Sequence, residues 1–338
     1  LGAIFPLAGD IFKKEKKDII GLVYASDLLG AVVGSFISGF WLVPSFGNHA
    51  TILVGACLNL LSALIILPKS LKKVCIATFL ILALLNYQGP TAIVKGGQFN
   101  TMKNNLLFLA YSPYGEVKVD FNSTLYINNI DMCSMQYPSD TSEIKMVDYA
   151  VEPLKKSDAK ILNIGLGCGL TLKEALTETT EPVDIVEINP QVVLANKFLT
   201  NIITDKRVNL TLEDGLKYLR ESGKKYDTIL IDIEDPTTIS SSNLYTVEAF
   251  QTVKDSLNPG GTFSLWSYYI SKKEFSQFLD VLDYSLKAVF PYVYHYPSVF
   301  LATNQPVEGE TEYQPVSDKK ELNTVDHKIL MQIFSSLE

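Results

Sequence analysis

Cysteine is scarce. Four occur in 338 residues, at Cys57, Cys75, Cys133 and Cys168, and their spacing suggests neither a metal knuckle nor a disulfide framework. Histidine is scarcer: His49, His295 and His327 lie far apart in sequence and read as isolated, locally bonded side chains. The expectation is a protein that uses no metal. Basic charge is short as well, with 29 Lys and Arg against 37 Asp and Glu, a net charge of −8 and a pI of about 5.1. A nucleic-acid surface needs basic patches, so nucleic acid is set aside as a partner, while a cationic substrate is tolerated. Also missing is the last glycine of a dinucleotide loop, because Leu170 stands where G-x-G-x-x-G would end. That fingerprint seats a pyrophosphate on a helix N-terminus, so the loop here points to a nucleoside ligand without one.

What is present is a nucleoside-site pattern on an open sheet. An apolar strand in Lys160–Ile164 runs into Gly165-Leu166-Gly167-Cys168-Gly169, and a helix-forming segment, Leu170–Glu178, follows. About twenty residues after the loop, a second apolar strand ends in Glu187, the spacing at which an acid accepts hydrogen bonds from ribose hydroxyls. Arg207–Leu212 forms a third strand, followed by Glu213, Asp214 and Gly215; Asp214 is expected near an adenine amine. Tyr226–Ile233 forms a fourth strand carrying Asp232 at its end. Ligands of such sheets lie outside the carboxyl ends of the strands, where Gly165–Gly169, Glu187, Asp214 and Asp232 all fall. Further strand–helix pairs run through Val183–Ile188 with Pro190–Thr200, and Thr228–Ile233 with Tyr245–Ser256. Thr262–Trp266 reads as a fifth strand, and Val289–Tyr296 with Ser298–Thr303 as a terminal hairpin. Alternation in Asn105–Asn129, broken near Phe121–Ser123, indicates a small β-meander ahead of the main sheet.

The first hundred residues are apolar. Mean hydropathy over the whole chain is +0.16, and the apolar residues concentrate before residue 95. Ile19–Val43 and Thr51–Leu67 are long enough for membrane spans, and Val74–Tyr87 is a shorter third segment. Glycines at 21, 30, 34 and 39 suit close helix packing, and Asp27 is the single charge in the first span. Lysines 13, 14, 16 and 17 precede the first span, and Lys69, Lys72 and Lys73 follow the second; both clusters are expected on the cytoplasmic side. We expect a multi-pass membrane protein whose third segment crosses incompletely and whose catalytic domain is cytoplasmic. The chain does not begin with methionine, and the expectation is a fragment whose earlier helices are missing.

The motifs ILNIGLGCG, VEIN, EDG and LIDIEDP, in this order, resemble the catalytic domain of the spermidine synthase (polyamine aminopropyltransferase) family. Ser112-Pro113-Tyr114-Gly115-Glu116-Val117-Lys118-Val119 resembles the family's S-P-Y strand, Leu244–Phe250 its segment entering a helix, and Asn258-Pro259-Gly260-Gly261 its turn before the fifth strand. Leu22–Phe46 resembles the membrane region of multi-spanning members. The resemblance implies an α/β fold with a Rossmann-like, class I methyltransferase-type sheet, a small N-terminal β-meander and a preceding transmembrane helical region. The division is 1–95 for the membrane region, 100–145 for the meander, 146–305 for the catalytic domain and 306–338 for a polar tail that is surface loop or a final short helix. Three departures stand out. Cys168 replaces the loop acid that holds the amino group of decarboxylated S-adenosylmethionine, Gly115 replaces a glutamine, and the acceptor-side D-E-x-x-Y segment is not legible in Met135–Asp148.

Carried over residue by residue, the resemblance implies Asp232 as the base that accepts a proton from an amine acceptor and Asp235 as the group that holds its distal end. Tyr114 and Tyr245 would orient the amine. Gly165, Gly167, Cys168, Gly169, Glu187, Asp214, Gly215 and Asp232 would line the cofactor. The leading expectation is a membrane-anchored aminopropyltransferase of polyamine biosynthesis, using decarboxylated S-adenosylmethionine as co-substrate and a polyamine-like amine as acceptor. A methyltransferase using intact S-adenosylmethionine is the alternative, favoured by Cys168. A transport or sensing protein with a regulatory nucleoside domain is the second. Homo-oligomerisation is left open.

Overall fold

The computed structural model describes residues 20–66, 69–85, 106–136, 142–233, 239–267, 276–315 and 321–335. The chain divides into two compact units. The first holds residues 1–99 and Ala110–Gly115; the second holds Asn100–Leu109 and Glu116–Glu338.

In the first unit, α1 (Ile20–Ile37) passes through a π-helical turn, Ser38–Leu42, into α2 (Val43–Ile66), and α3 covers Lys69–Leu85. Gly47 kinks α2 with φ 78° and ψ 171°, a left-handed φ that favours glycine. Its missing side chain leaves room for the Tyr111 ring, 2.9 Å from where a Cβ would lie. Leu29, Val32, Phe36 and Trp41 are all more than 60% exposed, so these helices turn apolar surface outward rather than into a core. Among the described residues, one helix is long and apolar enough to cross a bilayer, Tyr24–Gly47, at about 36 Å against roughly 30 Å of hydrocarbon. The second expected span is a shorter apolar helix, Ala50–Ile65, and α3, at 17 residues, is likewise not among the helices long and apolar enough to cross. The expectation is two full spans and a third segment that crosses incompletely; by length and composition the described residues supply one full span. Asp27 is exposed on α1.

The second unit carries the main sheet and most of the meander, whose β1–β2 turn belongs to the first. Four strands, β1 (Leu106–Ser112), β2 (Gly115–Asp120), β3 (Thr124–Ile127) and β4 (Ile130–Ser134), run as a meander in sequence order. The turn at 121–123 falls where the sequence placed it, but the meander has an additional strand, β4, beyond the expected end. After α4 (Ser142–Val151) come β5 (Ile161–Ile164), α5 (Leu170–Glu178), β6 (Val183–Glu187), α6 (Pro190–Ala195), β7 (Val208–Leu212), α7 (Gly215–Glu221) and β8 (Tyr226–Ile231). Then follow α8 (Ile239–Ser242), α9 (Val247–Asp255), β9 (Leu257–Trp266), α10 (Ser276–Lys287), β10 (Tyr292–Tyr296), β11 (Val299–Thr303) and α11 (Ile329–Ser335).

These strands order as β10-β11-β9-β8-β5-β6-β7. Strands β5 to β9 pair in parallel, and β11 returns antiparallel to β9. Strands β5, β6 and β8 are buried at every residue, as expected when helices cover both faces of a parallel sheet. β5 pairs with both β6 and β8, so the strand order reverses at β5 and a ligand crevice opens outside its carboxyl end. Local signals set the helix starts. Asn189 caps α6, with Pro190 at the first position where a missing N–H costs nothing; Asp214 caps α7 and Thr246 caps α9. The core joins both layers through Phe250, Phe263, Phe278, Phe290 and Leu330. The last of these belongs to α11, so the tail ends in a short helix that enters the core.

One core group is poorly provided for. His295 on β10 packs against Phe300 and Tyr313, and its buried Nε2 has no hydrogen-bond partner among the described residues. Burial holds its imidazole down at about 4. Between roughly pH 6.5 and that value the unfolded chain takes up a proton that the folded chain refuses, so stability falls as pH drops through this window. His295→Phe is expected to remove the effect and raise unfolding free energy at pH 5 by about 2 kcal/mol, with little change at pH 8. Urea titrations at the two pH values would check it; equal shifts at both would contradict the assignment.

Candidate functional site

The site is built where β5, β6 and β8 end. Gly165 follows β5 directly, and its N–H donates to the Val186 carbonyl at 2.9 Å. Its φ is +97°, and a Cβ there would lie 2.4 Å from the Asp232 carbonyl oxygen. No other residue satisfies both conditions. Asp232 in turn donates its N–H to the Ile164 carbonyl at 3.0 Å. The loop and the end of β8 are therefore one interlocked piece of backbone.

Glu187, at the end of β6, is 8% exposed. Its carboxylate accepts the Leu166 N–H at 2.9 Å and the Asn189 N–H at 2.7 Å. Burial pushes this carboxyl above its usual range, and backbone N–H groups from Asn189, Leu166 and Ile188 work against that shift. A carboxylate offers about four lone-pair sites, so with three backbone N–H groups on it about one remains for a ribose hydroxyl. Glu187 thus fixes the first turn of the loop and keeps capacity for a sugar.

Asp232 is partly buried, and one carboxylate oxygen accepts the Thr171 hydroxyl at 2.6 Å. Thr171, on the first turn of α5, is 1% exposed. The sequence reading missed it, since a threonine inside a helix-forming run carries no signal until the fold brings it to β8. Asp235 lies outside the described residues.

The remaining expected residues divide. Among the described residues, Gly167 has open space over it: the one atom there within 4 Å of a Cβ is the Cys133 sulfur, at 3.8 Å. Gly169 instead packs on protein, with the Thr200 hydroxyl 2.6 Å from its Cβ position. Gly215 is also a packing glycine, since a Cβ would meet the Ile164 side chain at 2.5 Å. Asp214 uses one carboxylate oxygen to cap α7, accepting the Lys217 N–H at 2.8 Å. Tyr245 is 1% exposed, and its hydroxyl bonds the Ile233 carbonyl. Its proton goes to the main chain behind Asp232, which leaves the hydroxyl oxygen as an acceptor toward an amine. Tyr114 is 44% exposed in the turn between β1 and β2, within the first compact unit.

Cys168 brings the largest correction. It forms a disulfide with Cys133 on β4, where the scattered spacing had suggested no pairing. Its side chain is committed to that bond, and Cys57 and Cys75 are free.

Two other carboxylate groupings belong elsewhere. Asp184, near the amino end of β6, is buried, which raises its pKa, but bonds from Lys224, Tyr226 and Asn209 outweigh burial and hold it below the usual range. Asp148, Glu174 and Glu178 bring their oxygens within 4.8 Å of one another. Burial first, and mutual repulsion second, pushes Asp148 and Glu178 upward.

The family described as "Spermine/spermidine synthase domain" matches residues 143–304. Polyamine aminopropyltransferase 2 of Aquifex aeolicus is 25% identical over 280 residues, 78% of this chain and 56% of that protein. The polyamine aminopropyltransferase of Corynebacterium efficiens is 26% identical over 309 residues, 83% of this chain and 58% of that protein. The chain thus spans little more than half the length of these curated relatives. A spermidine synthase solved in complex with the transition-state analogue AdoDATO superposes with a TM-score of 0.50 at 19% identity, covering 71% of this chain and 92% of that one. That likeness shows the Rossmann-like fold.

Proposed function

We propose, with residues 143–304 taken as a spermine/spermidine synthase domain, that this protein transfers an aminopropyl group from decarboxylated S-adenosylmethionine to an amine acceptor. The observation that carries the reading is the join at the strand ends: Asp232, oriented by Thr171, stands beside the glycine loop whose first turn Glu187 holds.

The co-substrate supplies an electrophilic carbon next to a sulfonium and a neutral thioether leaving group. Glu187 is the residue that would hold its ribose, and Gly167 offers the face on which it would lie. Asp232 accepts the proton that the acceptor nitrogen releases as its bond to carbon forms, and its charge attracts a cationic acceptor. Thr171 fixes the plane of that carboxylate. Asp235 would bind the far end of the acceptor. The overall acidity, −8, suits a polycationic substrate. Tyr24–Gly47 and the shorter Ala50–Ile65 would cross a membrane as a pair, which puts lysines 13, 14, 16 and 17, Lys69, Lys72 and Lys73, and the catalytic domain together on the cytoplasmic side.

One observation favours methyl transfer instead. With Cys168 tied to Cys133, the middle of the glycine loop presents no acid, and intact S-adenosylmethionine carries a carboxylate that an acid would repel. Isothermal calorimetry with both sulfonium compounds decides between them. Aminopropyl transfer requires the decarboxylated form to bind at least about tenfold tighter, close to 1.4 kcal/mol. The reverse preference would leave methyl transfer as the activity.

A further inference from the structure

We propose that Cys133 and Cys168 form a thiol–disulfide site that sets how firmly the glycine loop holds its nucleoside ligand. The inference rests on the nucleoside reading above and adds a control to the same site. The two residues have Cα atoms 6.1 Å apart and are 35 positions apart in sequence. They belong to different sheets: Cys133 lies on β4, paired with Leu125 on β3, and Cys168 lies at the carboxyl end of the main sheet. The bond is thus a clasp between the meander and the loop.

The loop end of the clasp is itself anchored. The Cys168 carbonyl accepts the Asn196 side-chain N–H at 3.0 Å and the Thr200 hydroxyl at 2.6 Å. The Gly169 N–H closes the turn onto the Leu166 carbonyl at 2.7 Å. On the other side, the Cys133 sulfur lies against Gly167, the loop glycine with an otherwise open face. These contacts on Gly165–Gly169 are present together with the bond. Cutting it frees the meander side and leaves the loop held from one direction only. A loop that spends a smaller fraction of its time in the binding geometry binds more weakly by that fraction.

The pair is chemically reachable. Cys168 is 3% exposed, but Cys133 is only partly buried. A small dithiol reductant attacks the Cys133 sulfur as its thiolate, the protein S–S bond breaks, and Cys168 leaves as a thiolate and takes a proton. The second thiol of the reductant then displaces Cys133. The products are two protein thiols and the cyclic disulfide of the reductant, with two electrons and two protons gained by the protein. Bonds of this kind persist in oxidising surroundings and are transient in reducing ones, so ligand affinity would follow the redox poise of the compartment.

The test uses the full chain in detergent micelles, with 5′-methylthioadenosine as the calorimetric probe. Oxidised protein should bind it about tenfold tighter than protein treated with dithiothreitol. Glutathione disulfide should restore the affinity, and Cys133→Ala should bind like the reduced form and ignore both reagents. Hydrogen exchange at residues 165–171 gives a readout independent of ligand, and reduction should accelerate it while far-UV circular dichroism shows the fold retained. Equal affinity and equal exchange in the two states would overturn the proposal. So would alkylation of all four cysteines after treatment with glutathione disulfide. Redox-dependent exchange with no nucleoside binding in either state would support the clasp and sink the nucleoside reading alone.

Discussion

Asp232→Asn is expected to lower kcat for group transfer by about 10²–10⁴-fold while leaving affinity for an adenosyl ligand within a few-fold. The asymmetry comes from the geometry. Asparagine keeps the shape of the side chain, and its amide oxygen can still accept the Thr171 hydroxyl that lies 2.6 Å from Asp232. The backbone bond from Asp232 to Ile164 and the close approach to Gly165 are untouched. What is lost is a group able to take the acceptor's proton and to attract its charge. Thr171→Val should cost less, roughly tenfold in kcat, because it frees the carboxylate without removing it, and Thr171→Ser should restore most of the rate. Chromatographic assay of the transferred product, alongside calorimetry of 5′-methylthioadenosine, separates the two effects. An Asp232→Asn protein that turned over at the parent rate would remove this residue from the chemistry.

Breaking the Cys133–Cys168 bond should produce the largest stability change of any single surface-reachable substitution. The bond closes a 35-residue segment, and restricting a segment of that length in the unfolded chain is worth about 3–4 kcal/mol. For a unit of this size, Cys133→Ser or Cys168→Ser is then expected to lower Tm by roughly 10 °C. Dithiothreitol should lower the parent's Tm by a similar amount and leave the variants unchanged. Calorimetric scans with and without reductant measure this directly. A parent protein whose Tm ignored reductant would show that the two sulfurs are not joined in solution.

Much of the catalytic unit was legible because its signals are local. The glycine loop, the apolar strands Ile161–Ile164 and Val183–Glu187, and the helix Leu170–Glu178 each announce themselves within a dozen residues. Asn189-Pro190 and Thr246 mark helix starts by side-chain chemistry alone. What escaped depends on distant partners. The pairing of Cys133 with Cys168 requires two sheets to meet. The reach of Thr171 to Asp232 spans 61 positions. The cap made by Asp214 and the packing of Gly215 on Ile164 carry no sequence signal apart from the ligand-loop pattern itself. Ser276–Lys287 was overlooked although Phe278, Val281, Leu282, Ser285 and Leu286 are buried along one helical stripe. β7 was recognised as a strand, but its place at the sheet edge leaves Leu212 54% exposed, which apolar content alone did not foretell.

Asn323 has a practical bearing on how the chain can be divided. It is 1% exposed, and all of its polar groups are engaged. Its side-chain N–H donates to the Tyr245 carbonyl, its side-chain oxygen accepts the Leu330 N–H, its carbonyl accepts the Val247 N–H, and its own N–H donates to the Ser285 hydroxyl. The family match stops at residue 304, nineteen positions short of this knot. A recombinant piece trimmed to the match would lose the ties that seat Tyr245 behind Asp232 and bare the cavity filled by Leu330. Anyone isolating the catalytic half should carry it through Ser335.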